Sequence, residues 1–285
     1  MRILITGAGG NVGRELQRQI TALGGHTISA LTQADLDITD FEQVRRQIAQ
    51  QQPEVVIHSA AMTAVDQCAQ EPDQALRVNA YGAQNVALGC AEIGAAMLHI
   101  STNEVFSGES NRAFLEYDVC NPINAYAYSK WVGEQMVREA LTAHYIVRTS
   151  WVFAHGGNNF VQKILAAAAA GRPISVVVDE VACPTYADDL VEASIKLIAT
   201  KRYGTYHFAN DGAVSRYDFA RYVLDSFGYT DTPITRIVKA QWQRPSKPPT
   251  YSALRNFFGA QMGISLRDWK QAVVAFAEKE KASAV

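Results

Sequence analysis

The sequence predicts an α/β protein: a Rossmann-type, doubly wound parallel sheet followed by a smaller C-terminal lobe. Three observations predict it. Short apolar runs alternate with amphipathic stretches through the first half of the chain, as expected of strands alternating with covering helices. A glycine-rich turn, Thr6-Gly7-Ala8-Gly9-Gly10-Asn11-Val12-Gly13, follows the first apolar run directly. Beyond Trp151 the alternation loosens, yet no Gly/Ser-rich linker separates the halves. The expected division is residues 1–150 as dinucleotide-binding domain and 151–285 as mainly substrate-binding lobe, with some later segments returning to the first sheet.

In order, residues 3–5 form the first strand and 10–23 the first helix; 27–31 form a strand and 41–51 its helix. A third strand covers 55–57, helical spacing runs over 75–93, a fourth strand covers 97–100, a helix 126–141 and a fifth strand 145–147. In the second half, 160–170 reads as a helix ending in five alanines that suit close packing on a neighbour. A strand is expected at 174–178, a helix at 187–198 and a short strand at 206–208. Residues 243–249, with three prolines, form a loop, because proline lacks the backbone donor and restricts its predecessor.

Composition narrows the function. The 285 residues are 48% hydrophobic and 19% charged, enough for a sizeable core. With 26 Lys and Arg against 28 Asp and Glu, the net charge of −2 offers no basic face for nucleic acid. Cys68, Cys90, Cys120 and Cys183 lie too far apart for a C-x-x-C site and read as buried thiols of a reducing compartment. No apolar run approaches the roughly 20 residues of a membrane span. The cytoplasm is the expected location, with no membrane partner.

The glycine turn suits a dinucleotide. In a strand-to-helix setting one glycine allows the turn, another admits a pyrophosphate and the last permits close helix packing, so the phosphates meet the positive helix N-terminus. The acidic residue that binds the NAD ribose, about 20 residues on in the common pattern, is missing from Ser29-Ala30-Leu31-Thr32-Gln33, as is an arginine for NADP. Asp37 either contacts the adenine with Ile38 or starts the next helix, with Asp37 or Thr39 as its cap.

A second constellation is Tyr126-Ala127-Tyr128-Ser129-Lys130. Tyr126 and Lys130 share one helix face, so the ammonium is expected to lower the phenol pKa and create a proton donor for a carbonyl oxygen. Tyr128, roughly 200° around the helix, faces elsewhere. The fourth strand delivers Ser101-Thr102-Asn103-Glu104 to the same sheet edge, where Thr102 can hydrogen-bond both a carbonyl and the tyrosine. His58 and His99 read as satisfied core histidines, and Asp188-Asp189 as a charge pair complementing a helix dipole.

With Leu36-Asp37-Ile38-Thr39-Asp40, Ser59-Ala60-Ala61-Met62-Thr63-Ala64-Val65-Asp66, Val78-Asn79-Ala80, Ile100-Ser101-Thr102, Tyr126 to Lys130 and Arg148-Thr149-Ser150-Trp151-Val152, nearly the whole chain resembles the extended short-chain dehydrogenase/reductases. Within them it is most similar to the dTDP-4-dehydrorhamnose reductase family. Later marks are Asn158-Asn159-Phe160, Pro184-Thr185, Arg244-Pro245 and Tyr251-Ser252-Ala253-Leu254.

The resemblance implies reduction of the C4 keto group of dTDP-4-dehydro-L-rhamnose by NADPH, with NADH as an alternative donor. It implies Tyr126, Lys130 and Thr102 as catalytic, and Gly7, Gly10, Asn11, Val12, Gly13, Asp37, Ile38, Ala60, Ala61, Met62, Thr63, Asn79, Tyr126 and Lys130 against the cofactor. Thr102, Asn103, Tyr126 and Trp151 would meet the sugar. Glu15 matches one position of a magnesium site at a dimer interface in some relatives, without a full ligand set; dimerisation rests on the family alone. The chain departs from the family's Ser-Thr-Asp-Tyr-Val-Phe by reading Ser-Thr-Asn-Glu-Val-Phe. That keeps open a reductase or epimerase of another nucleotide-linked keto-sugar; a second alternative, a non-catalytic regulatory subunit, stands because a reductase-like fold also serves as the regulatory partner of methionine adenosyltransferase.

Overall fold

The computed structural model describes residues 1–283. Its first half is β1 (Arg2–Thr6), α1 (Asn11–Leu23), β2 (Thr27–Leu31), α2 (Phe41–Gln51), β3 (Val55–His58), α3 (Val65–Gln70), α4 (Pro72–Leu76), α5 (Gly82–Ile93), β4 (Ala96–Thr102), α6 (Ala125–Ala140) and β5 (His144–Thr149). A π-helical segment, Arg77–Tyr81, joins α4 to α5. The second half adds β6 (Val152–Phe153), α7 (Phe160–Ala169), β7 (Ile174–Val177), β8 (Val181–Ala182), β9 (Thr185–Tyr186), α8 (Ala187–Thr200) and β10 (Gly204–His207). It ends with β11 (Val214–Ser215), α9 (Arg216–Ser226), β12 (Ile234–Ile237) and α10 (Trp269–Ser283).

Six strands form one parallel sheet in the order β10-β5-β4-β3-β1-β2. Helices cover both faces, which is why its strands are continuous apolar runs. Along β1, Ile3 and Ile5 point to a core with Leu16 and Ile20 of α1 and Leu190 and Leu197 of α8. Leu4 points the other way, to Val44 and Ile48 of α2 and Val86 of α5. The chain crosses over between β1 and β3, the switch point where open parallel sheets bind ligands at the carboxyl ends of their strands.

The C-terminal lobe packs Phe153, Val161, Ile164, Tyr186, Phe219, Trp269 and Phe276 into a separate aromatic-rich cluster. Of the alanines ending α7, Ala167 and Ala168 pack half-buried against this cluster beside the buried Val161 and Ile164, whereas Ala166, Ala169 and Ala170 are exposed. β10 hydrogen-bonds to β5, so the chain enters the lobe, returns to complete the main sheet and leaves again. A further cluster of Val105, Phe106, Phe114, Cys183, Ala253 and Leu254 ties the loop after β4 to the C-terminal segment. All four cysteines are free thiols; Cys120 is half-buried and accepts from Arg148. Among the described residues, no helix is long and apolar enough to cross a membrane.

Candidate active site

Two cavities, about 740 and 400 Å³, open along the carboxyl edge of the sheet and share Gly10, Ser59 and Ala61. Together they make one trough. Gly7, Asp37, Ile38, Ala60 and Met62 line its outer end beside β2; Asn11, Val12, Gly13, Thr63, Thr102, Asn103, Tyr126, Lys130 and Trp151 line the inner end.

The phosphate-sized midpoint is built from backbone. Gly7 has φ +71°, and a Cβ there would lie 2.5 Å from the Ala60 nitrogen; at Gly13 it would lie 2.3 Å from the Gly7 carbonyl oxygen. Only glycine allows β1, the loop before α3 and α1 to close this tightly. Gly10 precedes α1 without a side-chain cap, and no acidic residue stands in the first turn. The free N–H groups at that helix end therefore face the trough with the positive end of the dipole, a setting that fits a dinucleotide pyrophosphate. Arg14, missed in the sequence, lies over the turn, donating to the Gly9 carbonyl at 2.7 Å and to Asn11 Oδ1 at 3.0 Å.

At the outer end Asp37 Oδ1 accepts from the Thr39 backbone N–H and hydroxyl. The cap of α2 is Asp40, which accepts from the Gln43 N–H, so neither Asp37 nor Thr39 fills that role. No Lys or Arg lines this end among the described residues. Asn79 sits behind the wall: its carboxamide accepts from the Met62 N–H and donates to the Met62 carbonyl and the Ser129 hydroxyl. Its hydrogen-bonding groups thus hold the 60–63 loop, which lines the trough, against α6.

The inner end gathers the titratable side chains. Asn124 caps α6 by accepting from the Ala127 N–H, which starts the helix one residue before Tyr126. The Thr102 side chain, at the end of β4, lies beside the Tyr126 phenol and lines the same cavity, while its own hydroxyl donates to Asn103 Oδ1 and accepts from the Glu104 N–H. Burial pushes the phenol far up, the Glu104 carboxylate adds to this, and Thr102 offsets only part. The lowering expected from Lys130 is absent, and desolvation dominates the phenol. Lys130 Nζ donates to the Ile100 carbonyl at 2.8 Å and lies 3.3 Å from His99 Nε2. Burial brings its pKa down to about 8, with Glu134 acting the other way. Tyr128 is exposed, against Trp131.

Asn103 Nδ2 donates to the Ser252 hydroxyl at 2.7 Å and to its carbonyl at 3.2 Å. Glu104 accepts from Asn124 at 2.8 Å, and burial raises its pKa. Trp151 has φ +43°, a strained conformation for a bulky residue, and carries the Arg216 guanidinium 3.4 Å from its ring centroid. Arg216, also unforeseen, lines the inner end with no carboxylate within salt-bridge distance among the described residues. No local pattern signals it, because it reaches the site from α9.

The magnesium position does not fit a cation. Glu15 is held by Arg18 and Gln19, and Asp188 by Arg18 and Lys279. No group of three or more His, Cys, Asp or Glu among the described residues could hold a metal. Asp189 pairs with Arg267 and accepts from Asn210, so Asp188 and Asp189 are side-chain anchors as well as dipole partners.

Residues 1–282 match the family described as RmlD substrate binding domain. The chain belongs to that family. It is 38% identical over 283 residues to the spore coat polysaccharide biosynthesis protein SpsK of Bacillus subtilis, covering 99% of each chain. It is 41% identical to a dTDP-4-dehydrorhamnose reductase of Mycolicibacterium smegmatis, covering 95% of this chain and 84% of that one. A crystal structure of such a reductase from Bacillus anthracis in complex with NADP superposes with TM-score 0.93 at 34% identity, over 98% and 99% of the two chains. UDP-glucose 4-epimerase of Thermotoga maritima shares the fold at 19% identity and TM-score 0.81 over 100% of both chains.

Proposed function

We propose that this family member is an NADPH-dependent oxidoreductase that reduces the C4 keto group of dTDP-4-dehydro-L-rhamnose to give dTDP-L-rhamnose. The observation that carries this reading is the meeting of Tyr126, Thr102 and Lys130 at the inner end of a trough that passes an uncapped helix N-terminus. The reductase names of the relatives support the substrate, and the NADP complex of the Bacillus anthracis relative supports the cofactor.

Residues at the turn and α1 would hold the dinucleotide phosphates, and Asp37 and Ile38 would flank its adenosine end. When bound, NADPH supplies the hydride that converts the carbonyl carbon to an alcohol carbon. Tyr126, kept protonated by burial, donates its proton to the carbonyl oxygen, while Thr102 orients both oxygens through its hydroxyl. Lys130 places a positive charge beneath the tyrosine and holds the ribose. Trp151 and Arg216 shape the sugar-nucleotide side, where the cation faces a ligand bearing two phosphates.

The test is the decay of NADPH absorbance with purified protein and the keto-sugar made in situ, beside a no-sugar control. Sugar-dependent decay with dTDP-L-rhamnose as product is expected. Cofactor binding without decay would overturn the substrate assignment. Glu104 and Arg216 together favour one second reading, reduction of a different nucleotide-linked keto-sugar, which UDP- and GDP-linked substrates in the same assay would reveal.

A further inference from the structure

A buried polar row runs across β1, β3 and β4 towards their carboxyl ends. Thr6 on β1 is the register partner of His58 on β3, and His58 is the partner of His99 on β4. Thr6 Oγ1 lies 2.7 Å from His58 Nδ1, the two imidazoles stack at 5.3 Å with 17° between planes, and His99 Nε2 lies 3.3 Å from Lys130 Nζ. Both histidines are fully buried, and His58 Nε2 and His99 Nδ1 have no partner. Unpartnered polar atoms in a packed core are costly, so the pair is an expensive way to fill space.

The chemistry fixes the tautomer. An ammonium is a donor only, so His99 Nε2 must accept, its proton sits on Nδ1 and the ring is neutral. Burial and the neighbouring Lys130 charge hold both imidazoles well below their usual pKa, which keeps that acceptor available.

We propose that His99 is a positioning residue for Lys130: with the Ile100 carbonyl it takes two of the ammonium's three N–H groups and turns the third toward the trough. His58, locked by Thr6 at the end of the strand that leads into the glycine turn, braces the ring from beneath. The inference rests on the proposed role of Lys130 at the inner end. Glu134, one helical turn on, acts on the ammonium, and Tyr126 stands one turn before Lys130 in α6 and lines the same cavity; Arg138 and His144 influence His99 from α6 and β5. Accepting from the ammonium favours its charged form, so loss of the acceptor lowers the lysine pKa.

The test compares His99→Leu, His99→Gln and His99→Asn. Glutamine can present an oxygen near the former Nε2, whereas asparagine reaches only as far as Nδ1. NADPH affinity is titrated by fluorescence across pH without sugar, and the pH profile of kcat is measured with it. The leucine and asparagine variants are expected to move the alkaline midpoint of both profiles acidward by about one unit and lower kcat about fivefold at pH near 8, approaching about tenfold at higher pH. Glutamine is expected to restore both. A folded leucine variant with wild-type profiles would overturn the proposal, as would a wild-type affinity without an alkaline limb. If the leucine variant does not fold, equal behaviour of the glutamine and asparagine variants would overturn it. Since the affinity titration needs no sugar, failure to reduce the keto-sugar refutes the substrate reading and leaves the His99 result interpretable.

Discussion

The two ends of the trough recognise by different means. The outer end presents backbone, small side chains and the neutral Thr32 and Gln33, with Asp37 turned onto Thr39 and no cation among the lining residues. The inner end crowds Glu104, Tyr126, Lys130 and Arg216 into a half-buried space drawn from β4, α6 and α9. Shape and N–H groups suffice to hold a dinucleotide that is the same in every turnover. Proton transfer needs titratable groups whose environments push their pKa values apart. Here the phenol is driven up and the lysine down to about 8 by the same desolvation, leaving an acid that keeps its proton and a cation near its titration point at working pH.

Changes at the inner end should therefore lower the rate, and changes at the outer end should alter affinity. The largest expected effect is that of Tyr126→Phe, which should lower kcat by about 10²- to 10⁴-fold and leave the NADPH Kd within about twofold, by steady-state kinetics and fluorescence titration. Gly13→Ala should break the midpoint. With a Cβ 2.3 Å from the Gly7 oxygen the turn must open, so dinucleotide affinity should fall at least about tenfold with a lower Tm, by titration and thermal melt.

Arg216→Gln should raise the sugar-nucleotide KM about tenfold without altering the NADPH Kd, since a charge-assisted bond is lost at the inner end alone. An equal loss of cofactor affinity would erase the distinction between the ends. The wild-type kcat should fall as pH rises through about 8, because Lys130 is charged below that value and neutral above it. The smallest effect is expected outside. NADPH and NADH should differ in KM by less than about tenfold, because among the described residues no Lys or Arg lines the outer end.

The same contrast explains what could be read from the sequence. Thr27–Leu31 and Phe41–Gln51 coincide with their expected limits, because strand and helix periods are local and the sheet buries both faces. Strands β6, β8, β9 and β11 are two residues each and exist only through partners far along the chain, so no period announces them. α9 and α10 were also missed. At the site, the glycine turn and the Tyr126–Lys130 pair lie within single segments and were visible. The Asn103 bond to Ser252 spans 149 residues, and Arg216 reaches Trp151 only through tertiary packing. The apolar strand pattern puts His58 and His99 in the core, but their partners depend on cross-strand register and the reach of Lys130, and one nitrogen of each ring is left without a partner.

The most direct measurement supplies NADPH deuterated at the transferable C4 position, with dTDP-4-dehydro-L-rhamnose, and follows the label by NMR. The account predicts one deuterium at C4 of dTDP-L-rhamnose for each NADPH oxidised, and almost none with Tyr126→Phe in the same time. Label that stays on the nicotinamide while the wild-type protein converts the sugar would contradict it.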